Sequence, residues 1–438
     1  MTDVTLSQAD VRPTLGELTR AFFQIGALSF GGATAQIAMM HTLAVDERRW
    51  IDEGRFVRAL NLCMLLPGPE AQQLATYIGW HLHGVRGGIV AGVLFVLPGA
   101  ALMLLLSALF VMGTGLTWVD GLFFGIKAAV LAIVAQAVIK LSKRALKTNA
   151  FVALAVASFA AFAFVNVPFP VVIVAAAVIG ILLTRNSAAP LPPAAPVDRS
   201  AQWAATARAT VGGLAAWWLP VAALALWLGA GHAAVQLALF FSKLAVLSFG
   251  GAYALLAWLA DEAVRLGFVE TRAMIAGLGL AETTPGPTIL VTQFVGFIGG
   301  WNASGALPPL TSATVAALIT TWVTFAPSFL WIFAGAPWVD DLLRNRTLAG
   351  ALQGITAAVV GAISWLAFWF ALNTIFRSAG FVALGPFRAP AVSLAEIDLA
   401  ALALAILAIV LTFGLKRSMI EVILASAGLG LMWKLAAG

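Results

Sequence analysis

Long apolar runs separated by short polar stretches dominate this sequence. Thirteen candidate crossings follow from them: 18–40, 56–80, 87–112, 121–141, 151–164, 168–183, 211–229, 235–259, 272–300, 311–333, 348–375, 399–415 and 419–435. Most approach or exceed the roughly 20 residues that span a bilayer as a helix. None shows the alternation of a transmembrane strand. The polar start, 1–16, carries mixed charges and leads into a run too long for a signal-peptide core. The pattern predicts an all-α polytopic membrane protein.

Two runs are broken in the middle by the same tripeptide. Pro67-Gly68-Pro69 interrupts the first, and Pro285-Gly286-Pro287 interrupts the second. Proline removes backbone donors and glycine resists helix, so such a break is costly at mid-depth. Its recurrence belongs to a wider repeat. Leu28-Ser29-Phe30-Gly31-Gly32-Ala33 returns as Leu247-Ser248-Phe249-Gly250-Gly251-Ala252, Pro98 as Pro327, and Gly125-Ile126-Lys127 as Gly354-Ile355-Thr356. The order is kept, so the chain reads as a duplication: a first transmembrane repeat over 1–184, a cytoplasmic linker over 185–210, a connecting helix over 211–230 and a second repeat over 231–438. The linker contains Pro190, Pro192, Pro193 and Pro196.

Parity gives a topology. With every broken run crossing, each half has six spans and the connecting helix stands alone, which inverts the second half, as in many secondary transporters. Placing the N-terminus in the cytoplasm puts sixteen Lys and Arg inside and eight outside, with Lys127 left within a span. That bias has the usual sign. The loop 45–58 dissents with four arginines on the outside. Re-entrant hairpins at the two Pro-Gly-Pro breaks are the rival reading; they leave five spans per half and parallel repeats.

Composition fits and narrows the class. The chain is 61% hydrophobic and 10% charged, against about 25% charged in a soluble domain. A net charge of +6 spread between apolar runs reads as loop charge, not as a nucleic-acid surface. The single cysteine, Cys63, excludes an internal disulfide. No Walker A motif, metal-ligand spacing or nucleophile–base pair is present, so no enzyme, cofactor or metal is expected. His81 and His83 read as interfacial with solvated tips, and Trp217, Trp218, Trp227, Trp365 and Trp369 as interfacial or lipid-facing.

The breaks are the candidate site. A helix starting after Pro69 exposes orphan N–H groups with partial positive charge, which suits an anion. Ser29, Gly31, Gly32, Pro67, Gly68, Pro69, Gln72 and Gln73 in the first half, with Ser248, Gly250, Gly251, Thr283, Thr284, Pro285, Gly286, Pro287 and Thr288 in the second, supply donors or close backbone approach. Tyr77, Thr292 and Gln293 lie nearby in sequence. Ionisable residues within spans are functional candidates by default. Here they are Glu70, Glu282 and Lys127, with Lys243, the counterpart of Gln24, placed to snorkel.

These motifs carry a family resemblance. Glu47-Arg48-Arg49-Trp50-Ile51, then Leu60-Asn61-Leu62-Cys63-Met64-Leu65-Leu66-Pro67-Gly68-Pro69-Glu70-Ala71-Gln72-Gln73-Leu74-Ala75-Thr76-Tyr77-Ile78-Gly79-Trp80, then Ala281-Glu282-Thr283-Thr284-Pro285-Gly286-Pro287, resemble the chromate transporter family in its long, two-repeat form. The resemblance implies export of chromate across the cytoplasmic (inner) membrane, and with it chromate resistance. Many members have proline after Phe-Gly-Gly, where this chain has Ala33 and Ala252. The expected partners are a tetrahedral oxyanion and the lipid bilayer; a homodimer is left open. Sulfate, an isostere of chromate, and a channel rather than a transporter stay as alternatives. Glu70 is expected to set the pH dependence of transport, not its direction.

Overall fold

A computed structural model describes residues 12–30, 32–113, 115–185, 199–249, 252–303 and 307–437. Among these residues six helices are long and apolar enough to cross a membrane, which makes the protein an all-α polytopic membrane protein. Helices α1 (Leu15–Leu28), α2 (Gly32–His41), α3 (Glu53–Leu65) and α4 (Glu70–Met112) open the first half. They are followed by α5 (Thr117–Ala145), α6 (Asn149–Ala160) and α7 (Phe169–Thr184). After α8 (Arg199–Leu228), the second half runs through α9 (Ala233–Leu247), α10 (Ala252–Arg265), α11 (Thr271–Thr283), α12 (Val291–Asn302) and α13 (Pro309–Gly335). It closes with α14 (Val339–Arg344), α15 (Arg346–Ile375), α16 (Leu399–Ile409) and α17 (Met419–Ala437).

Local chemistry sets many boundaries. Thr14 and Glu17 form a capping box that starts α1. Asp52 caps α3 by accepting from the Arg55 N–H at 2.9 Å, and that bond holds its carboxyl below the usual range. Pro309 occupies the first turn of α13, where its missing N–H costs nothing. The expected linker is already helical from Arg199, past the last of its prolines; residues 186–198 of it lie outside the described residues.

Read from sequence, each broken run goes straight across. In the fold each one turns back. Arg55 at the base of α3 donates to His81 Nε2 at 2.6 Å, near the end of the first arm of α4. His83 donates to Pro13 O at 2.7 Å, just before α1, and His41 at the end of α2 donates to Glu53 at 2.6 Å, the first residue of α3. Both arms of α1/α2 and both arms of α3/α4 therefore have their bases together, at what we call the proximal end. The Glu53 bond raises the pKa of His41, so this clamp is strongest in acid and weakens as pH rises through the raised value. His81 and His83 are thus hairpin clamps, not solvated interfacial tips. The 13 residues of α3 rise about 20 Å, short of the ~30 Å hydrocarbon core, so neither arm crosses by itself.

Helix α4 is itself bent at His83 and Gly84, where Gly84 takes φ +62°. Its arms, 70–82 and 85–112, fold onto each other so closely that a Cβ on Gly79 would lie 2.2 Å from Gly87 O. The second half repeats the plan. Phe268, just beyond α10, packs on Phe240 of α9 at 5.5 Å between ring centres. Gly277 of α11 faces Phe294 of α12, and Gly299 at the far end of α12 faces Phe268 O. Arg272 at the base of α11 pairs with Asp120 at the start of α5 at 2.6 Å. This is the opposite, distal end.

The halves also exchange partners. Helices α6 and α7 pack on α15, whereas α16 and α17 pack on α5. The contacts are backbone-close: a Cβ on Gly125 would lie 1.8 Å from Ser426 O, and one on Gly354 2.0 Å from Ala176 O. These two glycines are repeat counterparts, and small residues at such crossings are what allow helices to pack tightly in a membrane. Helix α8 runs along α13, with Trp322 donating to Ala216 O at 3.0 Å. Trp217 and Trp365, expected at the interface, are buried instead, and Trp217 donates to Ser242. A two-stranded hairpin, β1 (Gly380–Leu384) and β2 (Phe387–Ala391), was not foreseen. Gly385 at φ +65° followed by proline supplies its turn.

Candidate functional site

Four hairpin tips gather between the two ends. Their described residues are 29–30, 66–69, 248–249 and 284–287. The tips pair across the halves. Gly68 N–H donates to Ser248 O at 3.1 Å, and Gly286 N–H donates to Ser29 O at 3.1 Å. Each Pro-Gly-Pro thus meets the Ser-Phe-Gly-Gly of the other half. Both glycines need positive φ, +123° at Gly68 and +89° at Gly286, which explains why glycine stands between the prolines. Gly31, Gly250 and Gly251, expected at the site, lie outside the described residues; Gly32 is buried at the start of α2.

Side chains lock the tips. Gln73 donates to Pro67 O at 2.7 Å within its own hairpin, and Gln36 donates to Gly286 O at 2.5 Å across the halves. The long helices complete the enclosure at repeat-related positions. Gly99, after Pro98, lies against Pro285 O, and Ser328, after Pro327, faces Gly68. Gln36, Gly99 and Ser328 were missed in the sequence as site residues. The available signal was a polar residue one turn after Gly32, and the Pro98–Pro327 correspondence. Gln36→Leu should leave Gly286 O buried and unpaired, at a cost of about 1–3 kcal/mol. A thermal unfolding midpoint equal to the parent's would remove Gln36 from the clamp.

The carbonyls of Ser29, Pro67, Ser248 and Gly286 are spent on donors, while the helix N-termini lack side-chain caps. Neither Pro69 before α4 nor Pro287 before the short turn Thr288–Leu290 gives a side-chain cap. The turn absorbs two extra residues of the second half, so that Gln73 and Gln293 occupy corresponding places in their hairpins. Ser29 Oγ, Ser328 Oγ and the amide oxygens of Gln36, Gln72, Gln73 and Gln293 are buried without a hydrogen-bond partner among the described residues. Buried polar groups of this kind are normally completed by water or a ligand.

Other predicted residues are engaged elsewhere. Ser248 donates to Ala245 O at 2.8 Å, Thr283 to Leu280 O at 2.8 Å and Thr284 to Ala281 O at 3.2 Å. Thr288 and Glu282 are buried beside the fourth tip. Glu70 is half-buried in the first turn of α4, with Arg144 the cation acting on it. Lys127 is not brought to the tips: its ammonium donates to Asn373 O in the last turn of α15, where carbonyls carry partial negative charge.

Paired, broken hairpins with buried polar groups at their tips, set within a body of long apolar helices, make this a polytopic membrane protein. A family model, Chromate transporter, matches residues 16–181 and 235–431. The chain belongs to the chromate transporter family. It is 30% identical to the "Chromate transport protein" of Pseudomonas aeruginosa over 370 residues, covering 83% of this chain and 82% of that one. It is 28% identical to the "Probable chromate transport protein" of Synechococcus elongatus, covering 80% and 83%. The "Chromate transport protein" of Cupriavidus metallidurans is 27% identical, with 80% and 81% covered. No solved structure matches.

Proposed function

We propose that this protein is a secondary transporter that exports a tetrahedral oxyanion, chromate first, across the cytoplasmic membrane and so confers chromate resistance. The observation that carries the reading is the reciprocal pairing of Gly68 with Ser248 and of Gly286 with Ser29. It draws helix N-termini from both halves to one buried centre, where their N–H groups favour an anion. A dianion needs more than one donor cluster, and the cross-pairing supplies two. Glu70 opposes this charge on the first-half side. The names of three relatives add chromate as the first substrate to test. Sulfate has the same shape and charge, so a centre of N–H and O–H donors would discriminate poorly. Chromate flux into proteoliposomes, with sulfate as competitor, tests the assignment; a parent protein that moves neither anion would refute it.

The same reading gives a topology: four crossings and two re-entrant hairpins per half, with α8 crossing alone and inverting the second half. Charge supports it. The four arginines of 45–58 move inside while Arg265 and Arg272 move outside, so sixteen against eight becomes eighteen against six. Cysteines introduced at Arg49 and Lys147 in a Cys63→Ser background should label from the cytoplasmic side, and one at Arg388 from the other. Labelling of Arg49→Cys from the Arg388 side would overturn the hairpins.

A further inference from the structure

A cavity of about 360 Å³ opens near the distal end, between the α6–α7 turn, both arms of the α9/α10 hairpin, α15 and β2. Its charged groups are Lys243, Arg265 and Arg388 against Asp261 and Glu262. Arg265 and Glu262 neutralise one another through two bonds of 2.9 and 2.5 Å. Lys243 and Arg388 take part in no ion pair among the described residues. Aromatic faces hold both. Lys243 Nζ lies 5.8 Å from the Trp258 ring centre, and the Arg388 guanidinium lies 5.0 Å from those of Trp365 and Phe381. Arg388 is further fixed by donating to Ala163 O at 3.1 Å and Phe162 O at 2.6 Å, which leaves Nη1 for another acceptor. Ring faces position a cation without cancelling its charge. With Asp261 counted, the cavity keeps a net positive charge.

Two further observations give the cavity a direction. Lys243 precedes Ser248 by five residues on one helix, about 7.5 Å along its axis, so the cavity and the third tip share one short helix. The charge is also one-sided. Gln24 stands where the first half would repeat Lys243, and Arg388 belongs to a β-hairpin for which the first half has no equivalent among the described residues.

We propose that this cavity is a vestibular binding site for a tetrahedral dianion, held between Lys243 and Arg388, which gives the distal face a higher affinity than the proximal face. The proposal rests on the reading of the protein as an oxyanion transporter. Two measurements on the full chain keep the two ideas separable. In oriented proteoliposomes, Lys243→Gln should raise the KM for chromate supplied at the distal face about tenfold, the scale of one lost charge-assisted contact. With no gradient or potential imposed, detailed balance keeps kcat/KM equal at the two faces, so the distal kcat should rise in step with the distal KM while the proximal KM and kcat stay within about twofold; Lys243→Arg should restore both distal values. In detergent, sulfate should protect Arg388 from phenylglyoxal in the parent and not in Lys243→Gln, read by mass spectrometry of the Arg388 peptide. Saturable chromate flux with an unchanged distal KM, or with equal changes at both faces, overturns the vestibule and leaves transport standing. Sulfate protection in a parent that moves no chromate supports the vestibule and overturns transport. Absence of both flux and protection overturns both.

Discussion

Gly68→Leu should abolish anion flux while the protein still inserts into the membrane. Two costs coincide at this position. A side chain at φ +123° is strained, on the order of 1–3 kcal/mol. Its Cβ would also lie 2.6 Å from Ser328 Oγ and 2.9 Å from Gln73 Nε2, closer than contacts allow, before the rest of the leucine is placed. The tip must move, and with it go the bond from Gly68 N–H to Ser248 O and the packing of two halves about the centre. Gly286 provides the control. Its φ of +89° is also unsuited to a side chain, but the nearest atom to an added Cβ is 3.5 Å away. Gly286→Ala therefore meets strain alone, about 1–2 kcal/mol, and should keep roughly a tenth of the flux or more. Membrane-fraction yield and chromate flux, measured side by side, check both. Full flux in Gly68→Leu would separate the tips from transport.

An imposed membrane potential should by itself drive chromate out of a negative compartment. At roughly 100 mV a dianion gains about 4.6 kcal/mol, twice the ~2.3 kcal/mol per charge. At about 1.4 kcal/mol per tenfold, that sustains a gradient on the order of a thousandfold. No proton is needed for this direction. Proteoliposomes clamped with potassium and valinomycin should accumulate or release chromate according to the sign of the potential, with no pH gradient present. Glu70, half-buried in the first turn of α4, follows the second tip directly. Glu70→Gln should keep the potential-driven flux and flatten its pH profile. Flux that ignores the potential and follows only a pH gradient would overturn this account.

The repeated motifs made the site legible in the sequence, because a Pro-Gly-Pro inside an apolar run has no cheap structural explanation. Pairing across the halves was not legible: nothing local to Gly68 names Ser248 as its acceptor. The turning back at the Pro-Gly-Pro breaks was legible only as the rival to a straight crossing. Two arms of about thirteen residues joined by a break look the same in composition whether they run on or return. The readable clues were electrostatic. Four arginines in 45–58 disagreed with a straight crossing, and His81, His83 and Gly84 marked a polar base one arm's length beyond the break. Lys127 misled because depth in a span does not say which way a side chain points, and a helix C-terminus can satisfy a buried ammonium as well as an anion can.

The exchange of α6 and α7 onto α15, and of α16 and α17 onto α5, bears on how the molecule can move. Halves locked through backbone-close glycines cannot rock against each other as two rigid blocks without unpacking Gly125 from Ser426 and Gly354 from Ala176. The mechanical units are mixed. The packing groups the four hairpins with α8, the long arm of α4 and α13, and groups α5–α7 with α15–α17, the two groups meeting where α10 lies on α15 and α11 on α5. Alternating exposure of the centre is then expected from the hairpin group sliding along the other, with each group drawn from both halves of the chain.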